Sequence, residues 1–121
     1  MVTRASAKRK GSGYENAVVT FLRGNGFPFA ERRLAGATLD RGDVAGIPGL
    51  VVECKNHARM QIGDWVTELT QEMRNDPHCR TGVVIHKKRG TTDVGDHYAT
   101  MPVSVWLDLY KRANRTEKED P

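Results

Sequence analysis

A chain of 121 residues is long enough for one hydrophobic core and too short for two. Hydrophobic residues make up 38% and 12 glycines are added to them, which is the composition of an ordinary globular domain and excludes wholesale disorder. No uncharged stretch approaches the ~20 apolar residues of a membrane span, so we expect no membrane association. Two cysteines make no disulfide framework, and no apolar signal segment follows the basic start. These features favour a reduced, intracellular and cytoplasmic location.

The net charge of +4 is concentrated at the N-terminus. Four basic residues precede the first acidic one: Arg4, Lys8, Arg9 and Lys10. The remaining 15 Lys and Arg residues equal the 15 acidic residues in number. Residues 1–11 are therefore predicted to form a flexible basic arm that binds an anionic partner such as nucleic acid. A solvated tail that improves solubility is the alternative.

The elements that follow are predicted from apolar periodicity and from turn residues. In chain order they are a helix from Ser12 to the Gly24-Asn25-Gly26 stop, an extended segment over 27–34, two strands over 44–47 and 50–54, a helix over 62–74, a strand over 82–86, an edge strand over 98–101 and a helix over 103–112. The Pro48-Gly49 turn between the two short strands predicts a β-hairpin. Within the longer helix, the spacing of Ile62, Val66, Leu69 and Met73 predicts the inward face.

This order of elements predicts an α/β fold. A central mixed β-sheet flanked by helices is the layered arrangement that would bury its apolar faces in a single domain. The globular domain is predicted to cover residues 12–113, and residues 114–121 are predicted to form a charged, frayed C-terminal tail.

Two acids and a lysine are predicted to meet at the end of the second short strand. Because strand side chains alternate between faces, Glu53 and Lys55 share one face and Cys54 points to the other. The Pro48-Gly49 turn brings Asp43 back across from Glu53. Carboxylate oxygens, waters and substrate phosphates are the usual ligands of Mg²⁺, so the pattern indicates a metal site. A surface strand end with an ion pair is the alternative.

Glu15 is a fourth candidate. It lies at helical spacing from Val18, Val19 and Leu22, so it is predicted to face the body of the protein. It is also the last residue of a Ser12–Glu15 capping box, which alone would account for a glutamate here. Both interpretations stay open.

Further basic residues are candidates for phosphate contacts. They are Arg32, Arg33, Arg59 and the cluster Lys87, Lys88 and Arg89. Phosphate contacts position a protein on nucleic acid without reading its sequence. An ordinary solvated loop is the alternative for the cluster. No base-reading motif is present, so recognition by shape is expected.

These motifs together resemble a known group of nucleases. The motifs are Lys10-Gly11-Ser12 with Tyr14-Glu15, Gly42-Asp43-Val44 and Val52-Glu53-Cys54-Lys55. They resemble the PD-(D/E)xK nuclease superfamily, and within it the archaeal and phage-type Holliday junction resolvases. The similarity runs from about Lys10 to Lys111. The proline that this family carries before the aspartate is Gly42 here.

The resemblance implies a fold, an activity and roles for the residues. It implies a restriction-endonuclease-like core, Asp43 and Glu53 as ligands of Mg²⁺ or Mn²⁺, Lys55 as the catalytic lysine and Glu15 as the acid that completes the site. It further implies a homodimeric crossover junction endodeoxyribonuclease that acts on branched DNA in recombination and repair, in the host cytoplasm if phage-encoded. Two alternatives remain: a nuclease of the same superfamily that acts on flaps, forks or duplex, and a non-catalytic nucleic-acid-binding module.

Overall fold

The structure, a computed structural model, describes the backbone of residues 4–34 and 39–119 and the side chains of residues 10–34 and 39–115. Its elements in chain order are α1 (Arg4–Gly24), β1 (Glu31–Arg32), β2 (Val44–Ala45), β3 (Leu50–Lys55), α2 (Ile62–Asn75), β4 (Thr81–His86), a 3₁₀ turn (Val94–Asp96), β5 (Tyr98–Thr100) and α3 (Val103–Glu119). This confirms the predicted single-domain α/β class.

The main sheet has the strand order β3-β4-β5 and is mixed. Strand β4 is parallel to β3, with Lys55 opposite His86, and antiparallel to β5. A parallel pair needs a crossover connection, which α2 supplies. Strands β1 and β2 form a separate antiparallel pair.

The core lies on both faces of β3. On one face Val52 and Cys54 pack with Tyr14 and Val18 of α1. On the other face Val51 packs with residues of α2 and β4, namely Trp65, Leu69 and Val84. The predicted alternation along β3 is therefore confirmed, and Glu53 lies on the α2 side of the strand, next to Val51 in that alternation.

Helix α1 begins earlier than predicted. It starts at Arg4, so the backbone of residues 4–11, which we expected to form an arm outside the helix, is helical. Alanine, lysine and arginine, which dominate residues 4–10, are good helix formers. Ser12 lies inside the helix, and its hydroxyl accepts a hydrogen bond from Arg32 Nη2 at 3.3 Å instead of capping an end. The side chains of Arg4, Lys8 and Arg9 lie outside the described part of the chain.

The predicted hairpin is wrong in its pairing. Strand β2 pairs with β1, whereas β3 pairs with β4. The turn itself is present, and Gly49 at its end has a φ of +83°. Since β3 is buried on both faces, it is an interior strand suited to parallel pairing. Backbone hydrogen bonds still join the two arms of the predicted hairpin: the Asp43 N–H donates to the Val52 carbonyl oxygen at 2.8 Å, and the Leu50 N–H donates to the Ile47 carbonyl oxygen at 3.2 Å.

Helix α3 is longer than predicted and exposes apolar side chains. It continues to Glu119, so the backbone of residues 114–119 is helical where we expected a frayed tail. Its exposed large hydrophobic residues are Val103, Trp106, Leu107 and Tyr110. None of the described helices combines the length and the apolarity that crossing a membrane requires.

Candidate active site

One cavity contains all four residues predicted to carry the chemistry. It has a volume of about 390 Å³ and lies at the carboxyl end of β3, beside α1. Its lining includes Glu15, Asp43, Glu53 and Lys55. The structure thus brings together side chains from α1, from the segment before β2 and from β3. Lys10 of α1 lines the same cavity.

Asp43 is fixed by its neighbours along the chain. Gly42 has a φ of +94°, and a Cβ there would lie 2.7 Å from the Val52 carbonyl oxygen, so only glycine fits. Proline, with φ near −65°, is incompatible with this backbone, so the proline of the PD-(D/E)xK motif would not fit at this position. The Cys54 N–H donates to Asp43 Oδ2 at 2.7 Å. This bond holds the Asp43 carboxylate against β3.

Glu53 is the most deeply buried acid that lines the cavity. It is 4% exposed, and its Oε2 atom has no hydrogen-bond partner among the described residues. Burial raises the pKa of Glu53 far above its ordinary value, and the neighbouring Glu72 and Asp43 carboxyl groups raise it further. A carboxylate in such a place is stabilised by a bound cation or by a proton.

Glu15 faces the cavity and is paired. Its Oε2 accepts from Arg32 Nε at 2.9 Å. Burial and the charge of Asp43 raise the pKa of Glu15, and Arg32 opposes them. Arg32, which we expected to contact DNA, therefore has its guanidinium engaged by α1.

Lys55 lies between two glutamates. Its Nζ is 2.9 Å from Glu68 Oε2 and 3.7 Å from Glu53 Oε1. Burial lowers the pKa of Lys55, but the hydrogen bond from Lys55 to Glu68 and the nearby negative charges outweigh burial and leave the pKa above its ordinary value. Lys55 is thus an ammonium group directed at the acids.

Three acids beside this site, Asp40, Glu68 and Glu72, were not predicted from the sequence. Carboxylate oxygens of Asp40, Glu53, Glu68 and Glu72 all lie within 4.8 Å of one another. The available signal was the inward face of α2, which we placed on Ile62, Val66, Leu69 and Met73. Leu69 is buried as predicted, but Ile62 is 41% exposed. The buried residues of α2 are Trp65, Leu69 and Glu72. An acid at helical spacing from Trp65 and Leu69 would have indicated a buried carboxylate.

The remaining basic candidates fall into two groups. Lys87, Lys88 and Arg89 are exposed and line a second cavity of about 260 Å³ with the aromatic rings of Trp65, His86 and Tyr98. This cavity shares Lys55, His57 and Ala58 with the first. Arg59 is exposed. Arg33, in contrast, is half-buried and donates to the Val44 carbonyl oxygen at 3.4 Å.

Comparisons of the chain with protein-family models, with curated proteins and with solved structures found no match. Carboxylates that converge beside an ammonium group in an open cavity are suited to holding a hard divalent cation next to an anionic substrate.

Proposed function

We propose that the chain is a metal-dependent, structure-selective endonuclease that resolves four-way DNA junctions by symmetric hydrolysis of phosphodiester bonds. The observation that carries the proposal is the convergence of Glu15, Asp43, Glu53 and Lys55 on one cavity. These are the positions that match the active-site motif of the PD-(D/E)xK nucleases in the sequence. The choice of junction over other DNA rests on the family resemblance.

The residues fit a resident Mg²⁺, for which Mn²⁺ would substitute. Asp43, Glu53 and Glu15 would be the ligands, because they offer oxygen atoms and line one cavity. Among the described residues, the acids whose carboxylate oxygens already lie within 4.8 Å of one another are Asp40, Glu53, Glu68 and Glu72, so Asp43 and Glu15 would have to close in on a bound ion. The buried Oε2 atom of Glu53, which has no hydrogen-bond partner in the described part of the chain, supports a cation at this place. A bound metal would supply polarisation of the scissile phosphate and a lowered pKa for the attacking water.

The chain's own groups orient the reaction. Asp43 is held by the Cys54 N–H, so its position is set before any ligand arrives. Lys55 Nζ donates hydrogen bonds and neutralises negative charge that builds up on the phosphate during attack. Glu15 completes the anionic side of the cavity, and Arg32 keeps it in place through the 2.9 Å pair.

Surface features support branched DNA and a second copy of the chain as partners. Lys10 lies at the first cavity, and the cluster 87–89 lies at the second, so basic groups flank Lys55 from both sides. Two symmetric cuts need two active sites, which a C2 homodimer provides. The exposed apolar side chains of α3, such as Trp106 at 53% exposure, support an interface there. A DNA substrate and two free cysteines favour the cytoplasm.

The test uses end-labelled DNA in three forms: an immobile four-way junction, a flap and a linear duplex. Wild-type protein is incubated with each in Mg²⁺, and EDTA removes the metal in parallel. The active-site variants are Asp43→Asn and Lys55→Met. The matched control is Asp64→Asn, which removes a carboxylate from the exposed first turn of α2.

Paired symmetric nicks in the junction alone, lost in both active-site variants and retained in the control, are the expected result. Equal cutting of all three substrates would retain the active site and replace junction resolution by a general or flap nuclease activity. Junction binding without cutting in any condition would support a non-catalytic binding module and overturn the proposal.

A further inference from the structure

A second group of acids lies on the α2 side of Glu53. It consists of Asp40, Glu53, Glu68 and Glu72, whose carboxylate oxygens are all within 4.8 Å of one another. We refer to these four residues as the α2 acid cluster. Only Glu53 belongs also to the cavity of the proposed catalytic site. The cluster is therefore not explained by the proposed function.

The carboxylate of Glu72 points into this cluster without a partner. Glu72 is 2% exposed, and neither of its carboxylate oxygens has a hydrogen-bond partner among the described residues. Glu53 Oε2 is also buried without a hydrogen-bond partner among the described residues. While both are ionised, the two carboxylates only accept hydrogen bonds and cannot satisfy each other, whereas a proton shared between them would give each a partner. A buried, unpaired carboxylate is costly, which means that the cluster needs a proton or a cation.

The protein supplies little positive charge here. In the described part of the chain, the ion pairs made by the cluster are those of Lys55 with Glu53 and with Glu68. Arg32 is engaged by Glu15 on the other side of β3. When all four acids are ionised, one ammonium group faces four carboxylates, of which those of Glu53 and Glu72 are buried and those of Asp40 and Glu68 are exposed.

We propose that the α2 acid cluster is a second divalent-cation site, with Glu53, Glu68, Glu72 and Asp40 as ligands for Mg²⁺ or Mn²⁺. The ligands are all carboxylates, which suits a hard cation and disfavours zinc or copper. Glu53 is common to this site and to the proposed catalytic site. The inference concerns cation binding in the absence of DNA and does not depend on cleavage.

The test counts Mn²⁺ ions bound to the full chain at pH 7.5 without DNA, from the electron paramagnetic resonance signal of free Mn²⁺. Wild-type protein should bind two ions per chain. Glu72→Gln and Asp43→Asn should each bind one, and the Asp64→Asn control should bind two. Circular dichroism shows whether each variant is folded.

Glu68→Gln is a second variant that tests the proposal if Glu72→Gln does not fold. The Glu68 side chain is 42% exposed, so its replacement disturbs no core packing. It should weaken one of the two Mn²⁺ affinities by at least about tenfold, a loss already reached when an outer partner of a metal ligand is removed. An unchanged affinity in folded Glu68→Gln would overturn the proposal.

The two proposals fail in different ways. If wild type and Glu72→Gln bind the same number of ions, the cluster holds a proton and the second site is refuted. If Glu72→Gln loses one ion while Asp43→Asn loses none, the second site is supported and the metal ligands of the proposed nuclease are refuted. If wild type binds no Mn²⁺, both proposals are refuted.

Discussion

The variants Asp43→Asn and Asp43→Ala separate two roles of Asp43, its proposed role as a metal ligand and its role as a hydrogen-bond acceptor in the fold. Asparagine keeps an oxygen that accepts the hydrogen bond from the Cys54 N–H, which is 2.7 Å long in the structure. Alanine removes that acceptor and leaves the amide of a buried residue without its partner. Both substitutions remove the carboxylate charge, so the difference between them reports the bond alone.

The size of that difference follows from the burial of the amide. A buried donor left unsatisfied costs about 1–3 kcal/mol, so Asp43→Ala should be less stable than Asp43→Asn by this amount. Unfolding entropy is about 2.1 cal/mol/K per residue, or roughly 0.25 kcal/mol/K for this chain. The difference in Tm between the two variants should therefore be about 4–12 °C.

Two assays are needed. Thermal unfolding followed by circular dichroism in EDTA measures the Tm of each variant without metal, and the junction assay in Mg²⁺ measures cleavage. Both variants should fail to cleave, and only alanine should lose the additional stability. Equal Tm values would refute the role of Asp43 as a clamp on β3. Cleavage by folded Asp43→Asn would refute its role as a metal ligand.

Three further predictions concern packing, pH and salt. A Cβ at Gly82 would lie 2.6 Å from Met73 Sδ, so Gly82→Ala should destabilise the protein by about 1–3 kcal/mol in urea unfolding. Adding Met73→Ala should cost less than its own separate effect, and strict additivity would argue against the clash. Burial lowers the pKa of His86 below its ordinary 6.5, so protons bind the unfolded chain more strongly and stability falls as pH drops below 6.5. In His86→Gln the loss of unfolding free energy between pH 7.5 and 5.5 should be smaller, and an equal loss would rule out His86 as a source. Replacing 87–89 by serines should reduce the slope of log Kd against log salt for duplex DNA by up to about 0.9 per lost phosphate contact. An unchanged slope would mean that this cluster does not contact phosphate.

Local sequence patterns predicted the fold class better than they predicted which strands pair with each other. The alternation of apolar residues along β3 correctly separated Glu53 and Lys55 from Cys54. The hairpin was wrong because a tight turn fixes the direction of the chain but not the partner of the strand that follows. Burial of β3 on both faces favours a parallel partner that comes after α2. We had assumed instead that β3 pairs with the strand that precedes it in the sequence.

Sequence patterns picked out Glu15, Asp43, Glu53 and Lys55, which line one cavity in the structure. They missed Asp40 and the two acids of α2, Glu68 and Glu72. Helical periodicity was judged from apolar residues alone, and this excluded Glu72 from the inward face although it is among the most buried side chains. Glu68 makes an ion pair with Lys55 that no spacing in the sequence reveals, since it joins a strand to a helix across a loop. The position of the Asp40 carboxylate depends on the turn at Gly42, because the Gly42 N–H donates to Asp40 Oδ1 at 2.9 Å.

Helix α2 joins the acid cluster to the hydrophobic core in a single rigid piece. Trp65 and Leu69 pack against Val51 and Val84 of the sheet. Glu72 lies on the same face of the helix, so these three side chains form one buried row. A residue inserted in the connection over 56–61 would leave this row aligned. One inserted between Leu69 and Glu72 would turn the acid by about 100° away from Glu53 while the two residues packed against the sheet stayed in place. The spacing within α2, more than the length of its connection, therefore determines whether these carboxylates meet.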